Sequence, residues 1–136
     1  MTLTYWLAVA AYVLPTFPLG YFWHMRTFAG QYEALEIYRK DVIIPMGLTS
    51  MLLQGLFLAW AYPHLFNTAA DHWLTSAFQF WVIIGVVAWS FLVLPVAAKV
   101  RMASVSRFLL LETAFTAIQF AIAGLLMALV YRGYGV

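Results

Sequence analysis

The chain has 136 residues, of which 65% are apolar and 9% charged, with a net charge of +2. A soluble domain carries roughly 25% charged residues, and no soluble fold of this size hides so much apolar surface, so the bilayer is the solvent. The length allows one domain, and the absence of cysteine excludes disulfides, thiol chemistry and thiolate-ligated zinc or iron–sulfur clusters.

The first apolar segment runs from Leu3 to Trp23. It lacks the basic n-region and the cleavage site of a signal peptide, so it reads as a retained helix. Pro15 and Pro18 remove backbone donors from its second half. Tyr12, Thr16 and Gly20 share one face, which serves either packing or a pocket wall. The stretch His24 to Asp41 holds half of the charged residues. Glu33, Glu36 and Lys40, like Tyr32, Leu35 and Tyr38, recur at three- and four-residue spacing, which predicts a short amphipathic helix at the interface. Asp41 is a candidate cap for the next helix, with Pro45 marking its first firm turn.

The second span is expected over Val42 to Tyr62, with Gly47, Ser50, Gln54 and Ala61 on one face and Pro63 ending it. Thr68 and Asp71 match a capping box ahead of a third span from Ala69 to Lys99, bent near Pro95. The fourth span, Phe108 to Tyr131, holds a single charge, Glu112. At ~1.5 Å per residue it reaches ~36 Å, enough to cross a ~30 Å hydrocarbon core with some tilt. Glu112, Thr116, Gln119 and Ala123 form a polar stripe along it. Ala117, Ala121, Gly124 and Ala128 form a small-residue stripe roughly opposite. Small residues let helices approach closely in lipid, and polar ones seek partners on other helices, so this span belongs at the centre of a bundle. Gly133 suits a C-cap.

The fold expected is an all-α membrane protein. It has four transmembrane helices in one domain over residues 1–136, with a short interfacial helix in the first loop. The first and third loops carry every basic residue except Arg132. By the positive-inside rule they face the cytoplasm and both termini lie outside.

Chemistry centres on Glu112, a carboxylate about one turn from the basic end of its helix. It serves either as a proton-linked or ligand-anchoring group or as a structural ion pair, with Arg101, Lys99 and Arg26 as candidate partners. Gln54, Gln79 and Gln119 need interhelical partners, because unpaired amides are costly in hydrocarbon. They act either as packing glue or as a polar lining. With Thr116 and Ser50 they complete a candidate ligand or ion pathway. His64 and His72 lie at the ends of the second and third spans and are candidate ligands for a haem or other pigment. His24 beside Glu33 and Glu36 is a weaker metal candidate, and the spacing matches no metal motif. No cofactor follows from these patterns. No phosphate loop, nucleophile elbow or nucleic-acid motif is present.

LPTFPLGYFW closing the first helix, DVIIPMGLTS opening the second and LLLETAF with GLLMALVYRG in the fourth set a layout. It resembles that of the small bacterial four-helix inner-membrane proteins known only as domains of unknown function. The resemblance implies a multi-pass inner-membrane location and no particular activity. Three roles fit the sequence. The first is a non-catalytic subunit, assembly factor or homo-oligomeric component of a membrane complex, associating through the small-residue stripe. The second is a small transporter, channel or hydrophobic-ligand-binding protein using Glu112 and the intramembrane glutamines. The third is an enzyme acting on a lipid or isoprenoid.

Overall fold

The structure is a computed structural model and describes residues 1–134. The elements are α1 (Leu3–Phe22), which runs on into a π-helical turn (Trp23–Thr27), α2 (Ala29–Glu33), α3 (Ile44–Leu65), α4 (Trp73–Leu92), α5 (Leu94–Lys99) and α6 (Val105–Tyr131). Four stretches are long and apolar enough to cross a membrane: Leu3–Thr27, Ile44–Leu65, Trp73–Lys99 and Val105–Tyr131. This is a four-helix membrane bundle.

Local chemistry sets the helix ends. Thr2 caps α1 by accepting from the Tyr5 N–H, and Ser104 caps α6 by accepting from Arg107. That cap starts α6 one turn before the expected Phe108. Pro15 and Pro18 leave α1 unbroken. Asp41 does not cap α3. It pairs with Arg39, and α3 opens at Ile44, with Pro45 in its first turn and no side-chain cap. The capping box at Thr68 and Asp71 does not form either. The Thr68 hydroxyl donates to the Tyr134 carbonyl, Asp71 takes the His72 imidazole, and α4 begins at Trp73. Gly133 follows α6 at φ +78°, the left-handed conformation expected of a C-cap glycine.

Pro63 does not end α3, which continues to Leu65. A proline has no N–H for the carbonyl four residues back, here that of Ala59. The Tyr131 hydroxyl fills the gap by donating to Ala59 O from α6, at 2.5 Å. Tyr131→Phe leaves this buried acceptor unpaired and is expected to cost about 1–3 kcal/mol. The measurement is the unfolding midpoint in mixed micelles; an unchanged midpoint would mean another donor serves Ala59.

α6 is the central helix. It packs against α1 on one side and α4 on the other, while α3 rests mainly on α1. The main core joins Tyr12, Leu58, Tyr62, Phe80, Phe120 and Met127. A second cluster gathers Tyr32, Leu35, Val93, Phe108 and Leu111 at the basic end, so the first loop tucks under α4 and α6. The Ala103 N–H donates to Leu35 O and ties the first and third loops together. At the opposite end Gly133 N–H donates to Thr68 O and Arg132 to Ala70 O.

Part of the small-residue stripe is used inside the chain. Gly124 and Ala128 are buried, and Gly124 lies directly under the α4 backbone at Ala77. It is not a free face for association. α3 behaves differently along its length. Gly55, Leu58, Ala59, Ala61 and Tyr62 are buried, whereas every residue from Asp41 to Ser50 is exposed. The bundle is closed at one end, and α3 splays away from α1 at the other.

Candidate functional site

The splay leaves a cleft of about 850 Å³ at the basic end of the bundle. Its deep walls are apolar, with Phe17 and Gly20 from α1, Met51 from α3 and Phe115 from α6. Its mouth carries Glu33, Glu36, Arg39 and Lys40 from the first loop. Pockets of ~300–1,000 Å³ hold drug-sized ligands, so the cleft is large enough for one.

A polar cluster adjoins it, and two of its members, His24 and Tyr32, also line the cleft. The i→i+5 bond from Phe28 N–H to Trp23 O makes the π-helical turn. π-turns inside helices are frequent at functional sites. Here the turn brings two sequence neighbours to the same group. Trp23 Nε1 donates to the Tyr32 hydroxyl at 3.0 Å, and His24 Nε2 lies 2.9 Å from Glu112 Oε1. The Tyr32 hydroxyl donates to the same oxygen at 2.5 Å. Aromatic packing fixes the ring of His24. Its centroid lies 4.5 Å from Tyr32 and 4.7 Å from Phe115, the latter edge-on.

The protonation of this cluster follows from its partners. His24 Nδ1 lies 2.9 Å from the Gly20 carbonyl, which only accepts, so Nδ1 carries hydrogen. A bare Nε2 lone pair against a carboxylate at 2.9 Å would repel, so one proton is shared between them. Whichever atom holds it, the His24–Glu112 pair is neutral as a unit. Burial, and then the hydrogen bond to Glu112, push the Tyr32 phenol well above its usual range, so it remains a donor. Glu112 Oε2 makes no hydrogen bond among the described residues and is not fully enclosed, which leaves it open to a ligand or water.

The expected cationic partners of Glu112 are not its partners. None of Arg101, Lys99 and Arg26 bonds to it, and it ties α6 to α1 and the first loop rather than to α4. A neutral-pair histidine and a tyrosine meet the same electrostatic need without placing a permanent cation beside hydrocarbon.

A second network lies deeper. Gln119 donates to the Tyr12 hydroxyl at 3.1 Å. Tyr12 donates to Gln54 Oε1 at 2.6 Å, and the Gln54 amide donates to Ser50 at 3.0 Å. Gln54, Gln119 and Ser50 are thus joined across α6, α1 and α3 by Tyr12, which its face shared with Thr16 and Gly20 marked as packing or a pocket wall. Thr116 is buried and donates to its own helix at Glu112 O. Gln79 departs from expectation. It is exposed on α4 and makes no side-chain hydrogen bond among the described residues. A single glutamine in an apolar run does not reveal which way its helix is turned.

His64 and His72 are both exposed. His64 Nδ1 donates to Trp60 O and its ring packs on Trp60. His72 donates to Asp71 and holds that carboxyl below its usual range. Among the described residues no three His, Asp or Glu side chains converge on a common metal position. The residues missed are Trp23 and Tyr32, and for Tyr12 the linking role of its hydroxyl. Only the placement of His24 at the same end as Glu112 pointed toward the cluster. No protein-family model matches this chain, and neither a curated protein nor a solved structure does.

Proposed function

We propose that this membrane protein binds an amphipathic small molecule in the cleft between α1 and the splayed half of α3. The observation that carries the reading is the polarity gradient of the cleft. Its deep walls are Phe17, Met51 and Phe115, and its mouth is charged. An amphiphile has that gradient. The fixed cluster of Trp23, His24, Tyr32 and Glu112 braces the wall on the α6 side. Of the three roles open to the sequence, the ligand-binding one best uses these features. The basic residues at the cleft end support an orientation with that end in the cytoplasm and both termini outside. A bacterial inner membrane fits the same layout.

Gly47 offers a direct test. It lines the cleft, and a Cβ built on it meets nothing within 4 Å. Gly47→Phe therefore places a bulky ring in the cleft lining without straining the backbone. Native mass spectrometry on protein extracted gently from its own membrane is expected to show a bound amphiphile mass in the wild type and at least a tenfold lower occupancy in Gly47→Phe, about 1.4 kcal/mol of lost affinity. Equal occupancy in both proteins would remove the cleft from the function.

One observation favours a second reading, a component of a larger or homo-oligomeric complex. The Gln79 amide is exposed on a helix face that otherwise suits lipid, and an amide in hydrocarbon seeks a partner. The same spectra read it, as a mass of several copies or of this chain with others.

A further inference from the structure

We infer that the amphiphile carries a cationic headgroup, an amine or a quaternary ammonium on an apolar tail; this rests on the ligand-binding reading above. Three observations at the mouth of the cleft support it.

The first is the balance of unpaired charge. Arg39 is held in a two-bond pair by Asp41, with both contacts at 3.1 Å. The His24–Glu112 pair is internally neutral. Among the described residues Glu33, Glu36 and Lys40 make no ion pair. Within the lining of the cleft, two unpaired carboxylates thus face one unpaired ammonium, while the Arg26 guanidinium, which makes no ion pair either, lies outside that lining over Tyr21.

The second is aromatic. Tyr38, 46% exposed, lines the cleft and is braced in T-shaped contact by the buried Tyr32, with ring centroids 5.4 Å apart and planes at 74°. An accessible tyrosine ring held in this way attracts a quaternary ammonium group to its negative face. Tyr21, on the opposite wall, already accepts a cation in this way, with the Arg26 guanidinium 5.9 Å from its centroid.

The third is backbone strain. Glu36 is the only non-glycine residue among the described ones with positive φ, at +60°. A residue with a Cβ resists that conformation, and such strain clusters at ligand sites. Here it turns the chain so that Glu33, Glu36 and Tyr38 all border the same opening.

The test uses the full chain in lipid nanodiscs and three probes with one dodecyl tail: dodecyltrimethylammonium, dodecyl phosphate and dodecanol. Binding is read from quenching of tryptophan fluorescence and checked by calorimetry. The cationic probe is expected to bind at least tenfold more tightly than the other two, and Gly47→Phe to abolish its binding. The pair Glu33→Gln and Glu36→Asn, the asparagine chosen because it tolerates positive φ, is expected to weaken the cationic probe about tenfold and to leave dodecanol unchanged. Lys40→Gln is expected to tighten the cationic probe about threefold. If all three probes bind alike and all are lost in Gly47→Phe, the headgroup assignment is overturned while the cleft stands. If the phosphate binds best, the assignment is overturned with the opposite sign. If no probe responds to Gly47→Phe, both the assignment and the cleft fall together.

Discussion

Glu112→Ala is expected to destabilise the bundle by about 1–3 kcal/mol. The carboxylate is the shared acceptor of His24 and Tyr32, and Tyr32 in turn takes the Trp23 indole. Removing it leaves an imidazole and a phenol without their partner. Breaking a fully buried pair costs ~3–5 kcal/mol; this cluster is partly open, with side-chain exposures of 27% and 16% for His24 and Glu112, so the loss is discounted. Glu112→Gln is expected to be milder. Its oxygen still accepts from Tyr32, and its amide can donate to a neutral His24 Nε2. What it loses is the option of charge on the pair. A double-mutant cycle separates these effects. His24→Ala and Glu112→Gln are expected to couple by about 1 kcal/mol, whereas Arg101→Gln and Glu112→Gln are expected to add. The measurement is reversible unfolding in mixed micelles. Additive His24 and Glu112 effects, or coupling to Arg101, would show that the carboxylate pairs elsewhere in the membrane.

Much of the architecture was legible because the bilayer imposes it. Four spans follow from length and apolarity alone, and the polar stripe Glu112–Thr116–Gln119 marked α6 as the helix with neighbours on two sides. What lipid hides is which apolar residues meet protein. Residues 44–50 read like the rest of α3, yet every one of them is exposed. A side chain facing a lipid tail and one facing a neighbouring helix obey the same composition, so the splay leaves no sequence mark. The outward turn of Gln79 on α4 is hidden for the same reason. The Pro63 gap was visible as a stop signal; its repair by Tyr131 was not, since that donor is distant in sequence. The π-turn depends on partners as far away as Glu112, so local propensity cannot announce it. The small-residue stripe was legible as a close-packing face, but not as one already occupied by α4.

That occupancy leads to a prediction of opposite signs for two glycines at one interface. A Cβ on Gly124 would come 2.9 Å from Ala77 O and 3.1 Å from Phe80 Cδ1. The first of these is backbone and cannot rotate away, so α4 and α6 must move apart. Their separation also strains two bonds that cross the interface, Trp81 Nε1 to Ala117 O and Trp89 Nε1 to Thr113 Oγ1, both 2.9 Å. Alanine gains up to ~1 kcal/mol of helix propensity over glycine, while overpacking costs ~1–3 kcal/mol, so Gly124→Ala is expected to lose about 1–2 kcal/mol. Gly124→Val adds two methyl groups against the same wall and a β-branched preference, and is expected to lose about 3 kcal/mol or more. Gly85 lies on the facing helix, where an added Cβ meets Phe120 Cβ at 3.6 Å, ordinary van der Waals contact. Gly85→Ala therefore keeps its propensity gain and is expected to stabilise by about 0.5 kcal/mol. Unfolding midpoints of the three variants against the wild type decide it. If Gly124→Ala were as stable as Gly85→Ala, the helices would be free to separate at Gly124, and the stripe would be open to a partner after all.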